Sequence, residues 1–192
     1  MPPPQPQVSA RLLLRMPQPA DLDALFELHA DPVASRFSPA GLPVTRENTR
    51  AQLQSWLEHW QAKGYGYWAI APRDQPQVLI GFGGVMGRTV AGVAGQYLYF
   101  RFWPQAWGQG LASEMAMVAL AQAFDQLHAP QVLAVVQPAN KPSRKTLERI
   151  GMLLKGSMAD VPGQEPSLVY EITAARYAGL PKTPPAPTPF GA

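Results

Sequence analysis

Residues 107–112 read Trp-Gly-Gln-Gly-Leu-Ala, between an aromatic, β-rich run at 96–103 and an apolar-periodic stretch at 113–127. A strand, a glycine turn and a helix start together form an anion cradle. Glycines let backbone N–H groups turn toward a ligand with no Cβ in the way, and the helix N-terminus adds the positive end of its dipole. A phosphate or pyrophosphate is the natural occupant, so a phosphorylated cofactor is expected there. Taken alone, Gly108 and Gly110 also suit a plain strand-to-helix turn. The loop lacks the Gly-Lys-Ser/Thr ending of a nucleoside-triphosphatase loop. A Rossmann site fits poorly too, because the cradle follows a late strand and no acid ends a next parallel strand roughly 20 residues on.

Other chemistries are narrowed by what the chain lacks. It has no cysteine, and its three histidines, His29, His59 and His128, are scattered, so no disulfide, thiolate nucleophile or metal site is expected. Sixteen Lys and Arg against 13 acids give a net charge of +3, too mild to argue for nucleic acid but suited to an anionic cofactor. No signal-peptide core or membrane-length apolar run is present, which sets the expectation of a cytoplasmic protein.

At 192 residues and 46% hydrophobic, the chain suits one domain. Prolines cluster at both ends, so residues 1–9 and 179–192 are expected to be disordered tails around a single domain at 10–178. A first strand is expected at 11–15, then a helix with Leu22, Leu25, Phe26 and Leu28 on its apolar face and Asp21 as its cap. Thr45 starts a second helix that carries Leu53, Trp56, Leu57 and Trp60 and stops at Gly64. Strands follow at 67–71 and 78–85 around a turn at 72–76, and residues 87–95 read as a flexible connection into the aromatic strand. After the long helix come a strand at 131–137, a short helix at 142–150 closed by Gly151, and a final strand at 167–172. The order β, α, α, β, β, β, α, β, α, β implies a mixed α/β sheet with helices on both faces.

This order, with residues 107–112 after the fourth strand, Asn140-Lys-Pro-Ser143, and then Leu147 and Ile150-Gly-Met152, resembles the GNAT acetyltransferases, in particular the ribosomal-protein N-terminal acetyltransferase type. The likeness spans residues 11–172. It implies a six- to seven-stranded sheet with splayed parallel strands 4 and 5, and acetyl-CoA as co-substrate. The family signature fits two registers, Gln105, Gly108, Gly110 or Trp107, Gly110, Ala112, and the second keeps the family's spacing to strand and helix. By this resemblance Trp107, Gly108, Gln109, Gly110, Leu111 and Ala112 form the pyrophosphate loop, with Ser113 adding a hydroxyl. The main chain of Phe100, Arg101 and Phe102 would pair with the pantetheine arm, and Asn140 would face the cofactor.

Acetyl transfer to an amine needs a polarised thioester carbonyl, a deprotonated amine and a proton for the leaving thiolate. The glutamate that the subgroup places on strand 4 is replaced by Gln96 and Tyr97, and the family's tyrosine acid by Leu147; Ser143 stands where the subgroup's alternative acid would be. Tyr97 and Ser143 are therefore the catalytic candidates. Three readings of the missing base stand side by side: a base from Glu27, Asp31, Glu47 or a water chain; an acceptor amine of low pKa; or a non-catalytic acyl-CoA-binding module. The acceptor is a small-molecule amine or a protein N-terminus, and a hydrophobic final strand suggests a homodimer.

Overall fold

The computed structural model describes residues 4–38 and 44–181. Its centre is one mixed eight-stranded sheet in the order β1-β2-β3-β4-β5-β6-β8-β7. The strands are β1 (Gln7–Val8), β2 (Leu12–Arg15), β3 (Tyr67–Pro72), β4 (Gly81–Val90), β5 (Val93–Phe102), β6 (Gln131–Val136), β7 (Leu153–Met158) and β8 (Ser167–Thr173). Helices α1 (Leu22–Ala30) and α2 (Arg46–Lys63) supply apolar residues to a core on one face. Helices α3 (Leu111–Ala121), α4 (Lys141–Arg149) and α5 (Ala174–Ala178) cover the other, around Met115, Leu120, Leu147 and Tyr177.

Neighbouring strands are antiparallel except β5 and β6, whose parallel ladder holds only Gln96↔Val132 and Tyr97↔Leu133. Beyond these pairs the two strands part, although β5 continues to Phe102 and β6 to Val136. On its other edge β5 stays locked to β4 along ten residue pairs. The close approach on that side uses glycine: a Cβ on Gly83 would lie 2.7 Å from the Tyr99 carbonyl oxygen and 2.8 Å from Met115 Cε.

Local signals account for the helix ends. The Thr45 hydroxyl accepts from Asn48 N–H at 3.1 Å, and Gly64 closes α2 at φ 76°, both as the sequence leads one to expect. Asp21 stands at the N-cap position of α1 as expected but makes no side-chain capping bond there. It ends a 3-10 turn (Pro19–Asp21) with its buried carboxylate gripped by both Arg15 terminal nitrogens, at 2.7 and 2.8 Å.

Four further expectations are corrected. The sheet has eight strands rather than six or seven, because the tail expected at 1–9 contains β1, paired to β2, and residues after Gly151 form β7 on β8. Residues 87–95 are no flexible connection: β4 and β5 run on into a hairpin that turns at Ala91 and Gly92, both with positive φ, 45° and 80°. The strand expected at 78–85 therefore starts and ends later. In the segment expected as tail from 179, Leu180 packs on the main core; residues 182–192 lie outside the described residues.

Gly83→Ala should lower stability by about 1–3 kcal/mol, since the added methyl meets the β5 backbone and the α3 methionine at once. Urea unfolding checks this. A midpoint equal to wild type would mean that β4 and β5 are not held this tightly.

Candidate active site

Past its parting from β6, β5 runs on to Phe102 and a 3-10 turn (Pro104–Ala106), and the glycine loop leads into α3. Gly108 and Gly110 sit at φ 75° and 76°, a left-handed conformation that side chains rarely adopt, and Gly110 is the residue before the first turn of α3. The loop is tied down from two directions. The Trp107 indole N–H donates to the Phe102 carbonyl at 2.8 Å, and Arg11 Nη1 donates to the Gln109 carbonyl at 2.9 Å. Arg11 itself is anchored by Glu114 in the first turn of α3, at 2.7 Å, and Glu114 also accepts from the Ser9 hydroxyl and the Arg11 N–H. Burial alone would push the Glu114 carboxyl up, but these hydrogen bonds and the Arg11 charge outweigh it and hold the group below the usual carboxylate range.

Backbone direction follows from the same strand. Trp103 N–H turns toward β4 and donates to the Ile80 carbonyl at 2.9 Å, so by the two-residue alternation the peptide groups of Phe100 and Phe102 turn toward the gap. The Phe102 carbonyl is taken by Trp107, whereas the Phe100 peptide faces the opened edge.

A cavity of about 330 Å³ runs from this edge to the loop. Its lining brings together Phe100, Arg101, Phe102, Trp107, Gly108, Gly110, Leu111, Ala112 and Ser113 with Asn140 and Ser143 of the α4 start. Asn140 caps α4, its side-chain oxygen accepting from Ser143 N–H at 3.2 Å. Gln109 does not line the cavity; its amide turns back to the Gln105 carbonyl at 2.9 Å. Nor does Tyr97, which is buried with Leu133 and Val169 and donates its hydroxyl to the Val93 carbonyl at 3.0 Å.

The lining also includes Lys141, Lys145 and Arg149, four residues apart along α4, and Arg36, whose guanidinium lies 5.1 Å from the Trp107 ring centre. Sequence reading missed these basic residues, although their spacing of four marks one helix stripe. No described lining residue is acidic. The three carboxylates considered as bases do not line the cavity either, and Asp31 Oδ1 is engaged by the Val33 and Ala34 N–H groups. Among the described residues no group of three His, Asp or Glu could hold a metal.

On the α1 face of the sheet, His29 Nε2 lies 3.0 Å from the Tyr99 hydroxyl. Burial first, and then the Arg101 charge, pull the His29 pKa down to about 4, so the imidazole is neutral.

A family model for an acetyltransferase (GNAT) domain matches residues 11–153, and the chain belongs to the GNAT acetyltransferase family. The YkkB protein of Bacillus subtilis is 29% identical over 150 residues, which cover 76% of this chain and 83% of that protein. A crystal structure of an acetyltransferase from Agrobacterium tumefaciens is 26% identical, with a TM-score of 0.72 over 88% of this chain and 94% of that one. A RimL alpha-N-protein acetyltransferase solved in complex with coenzyme A is 19% identical and shares the fold, with a TM-score of 0.68 over 88% of this chain and 98% of that one.

The depressed His29 pKa has a sign that can be checked. The unfolded chain takes up this proton near 6.5 and the folded one only near 4, so stability falls as pH drops through that window. Between pH 7 and pH 5 His29 should account for a loss of about 2 kcal/mol. Guanidinium unfolding of wild type and His29→Gln at both pH values isolates the effect; equal losses in the two proteins would contradict it.

Proposed function

We propose that the chain is an acetyl-CoA-dependent N-acetyltransferase in which a primary amine attacks the thioester directly. The observation that carries this reading is the joining, in one cavity, of an opened β5 edge to a glycine loop at a helix N-terminus. Pantetheine amides need backbone partners like those of the Phe100 peptide, and a diphosphate needs convergent N–H donors such as those of residues 110–113. Lys141, Lys145 and Arg149 add the positive charge that suits coenzyme A phosphates. The bound co-substrate supplies the activated acetyl group.

In this scheme the neutral amine reaches the thioester carbon from the α1 face, the C–N bond forms and the C–S bond breaks, and the Ser143 hydroxyl, at the cavity wall, gives a proton to the departing thiolate and regains one shed by the attacking nitrogen. Tyr97 has no part in it, because its hydroxyl is committed to the Val93 carbonyl. His29, titrating near 4, is too weak a base for an amine near neutral pH. The reading therefore relies on an amine that deprotonates to water by itself, as an α-amino group of pKa about 7.7–8.0 does. The burial of Tyr97 where the subgroup expects a glutamate favours a second reading, an acyl-CoA-binding module without turnover.

Release of free coenzyme A thiol with primary amines separates the two. Transfer predicts release whose rate climbs about tenfold per pH unit below the amine's own pKa and levels above it. Lys145→Glu should raise KM for acetyl-CoA about tenfold with a smaller change in kcat. Acetyl-CoA binding with no thiol release for any amine would leave only the binding module.

A further inference from the structure

Positive charge is divided between the two faces of β5. Phe100 and Phe102 pack against the α3 core, on the side of the glycine loop, whereas Arg101 points the other way, toward the segment after α1. There its two terminal nitrogens donate to the hydroxyls of Ser35 and Ser38. Ser35 in turn donates to the His29 carbonyl, and the His29 ring meets the Tyr99 hydroxyl. The Tyr99 ring packs 5.1 Å from that of Tyr67, whose hydroxyl lies 3.4 Å from Arg88 Nη1. The acceptor face is thus a belt of phenols, hydroxyls and a neutral imidazole with a guanidinium at each end.

Among the described residues neither Arg88 nor Arg101 is ion-paired. The contrast within the same fold is sharp: Arg11 and Arg15 each close on a buried carboxylate. Arg101 is half-buried, lines the cavity and holds only neutral partners. A planar guanidinium in such surroundings suits a carboxylate, which it can grip with two parallel hydrogen bonds. A polycation would meet two like charges and, among the described lining residues, no acid, which disfavours it.

We infer that the acceptor is an α-amino group with a separate carboxylate on the same molecule, as on a short peptide, and that Arg101 binds that carboxylate. This rests on the transferase reading and names its substrate class. Acetyl transfer is measured by thiol release with a panel of dipeptides, their C-terminal carboxamides and spermidine, each rate expressed per unprotonated amine. Acetyl-CoA binding is measured in parallel by calorimetry.

For the best acceptor, kcat/KM should favour the free carboxylate over the amide by roughly ten- to hundredfold. Spermidine should be poorer than either. Arg101→Gln should erase the preference of carboxylate over amide, and Arg101→Lys should restore part of it. A wild type that prefers amide or spermidine overturns the inference. So does an Arg101→Gln protein that loses both acceptors equally, the mark of a residue that merely braces the Ser35 and Ser38 segment. In all these cases transfer itself survives. Failure of wild type to bind acetyl-CoA would instead overturn the transferase reading beneath.

Discussion

The parallel pairing of β5 with β6 stops after two residue pairs, and the rest of the site is arranged around that interruption. A strand edge that turns away from its neighbour leaves peptide groups to find other partners, since a dry, unpaired peptide is costly. Here the loss is confined to one edge. Gly81 and Gly83 let β4 lie tightly against β5 on the other, where a Cβ at either position would come within 2.8 Å of the β5 backbone. At the end of the open stretch the chain spends two left-handed glycines on turning into α3, and the Arg11–Glu114 pair fastens this turn to the start of β2. An extended edge and a cluster of N–H donors thus face one cavity, which a linear molecule with amides at one end and phosphates at the other can span.

Charge follows the same geometry. The α4 stripe of Lys141, Lys145 and Arg149 lines the cavity beside the glycine loop, and the Arg101 side chain turns toward the segment after α1. With Tyr97 sealed in an apolar cluster and His29 held neutral, the transfer proposed above would rest on positioning more than on base catalysis. Such a transferase would suit acceptors that are already partly deprotonated near neutral pH and would select them by what they carry beside the amine.

The strand, glycine turn and helix start were legible in the sequence because their causes are local. Positive φ demands glycine, the helix begins at once, and the aromatic strand before it is unmistakable. Thr45 and Gly64 were readable for the same reason. What escaped reading depends on pairing and packing that the residue types alone do not announce. The small residues at 87–95 suggested a loose loop, yet cross-strand pairing with a turn at Ala91-Gly92 makes them a hairpin. β7 is an exposed edge strand, Leu-Leu-Lys-Gly-Ser-Met, with no alternation of apolar and polar faces to reveal it. Asp21 looks like a cap until Arg15 is folded beside it, and Tyr97 stands at a catalytic position in sequence but is covered by Leu133 and Val169 in space.

The central claim is that the opened β5 edge and the glycine loop together hold a coenzyme A thioester. Calorimetric titration of the full chain with acetyl-CoA, and separately with acetyl-pantetheine, tests it most directly. The account predicts saturable one-to-one binding of acetyl-CoA in the micromolar range, and markedly weaker binding of the pantetheine fragment, which has no diphosphate for the loop and α4. Absence of acetyl-CoA binding would contradict the account and leave the glycine turn as a way of joining a strand to a helix.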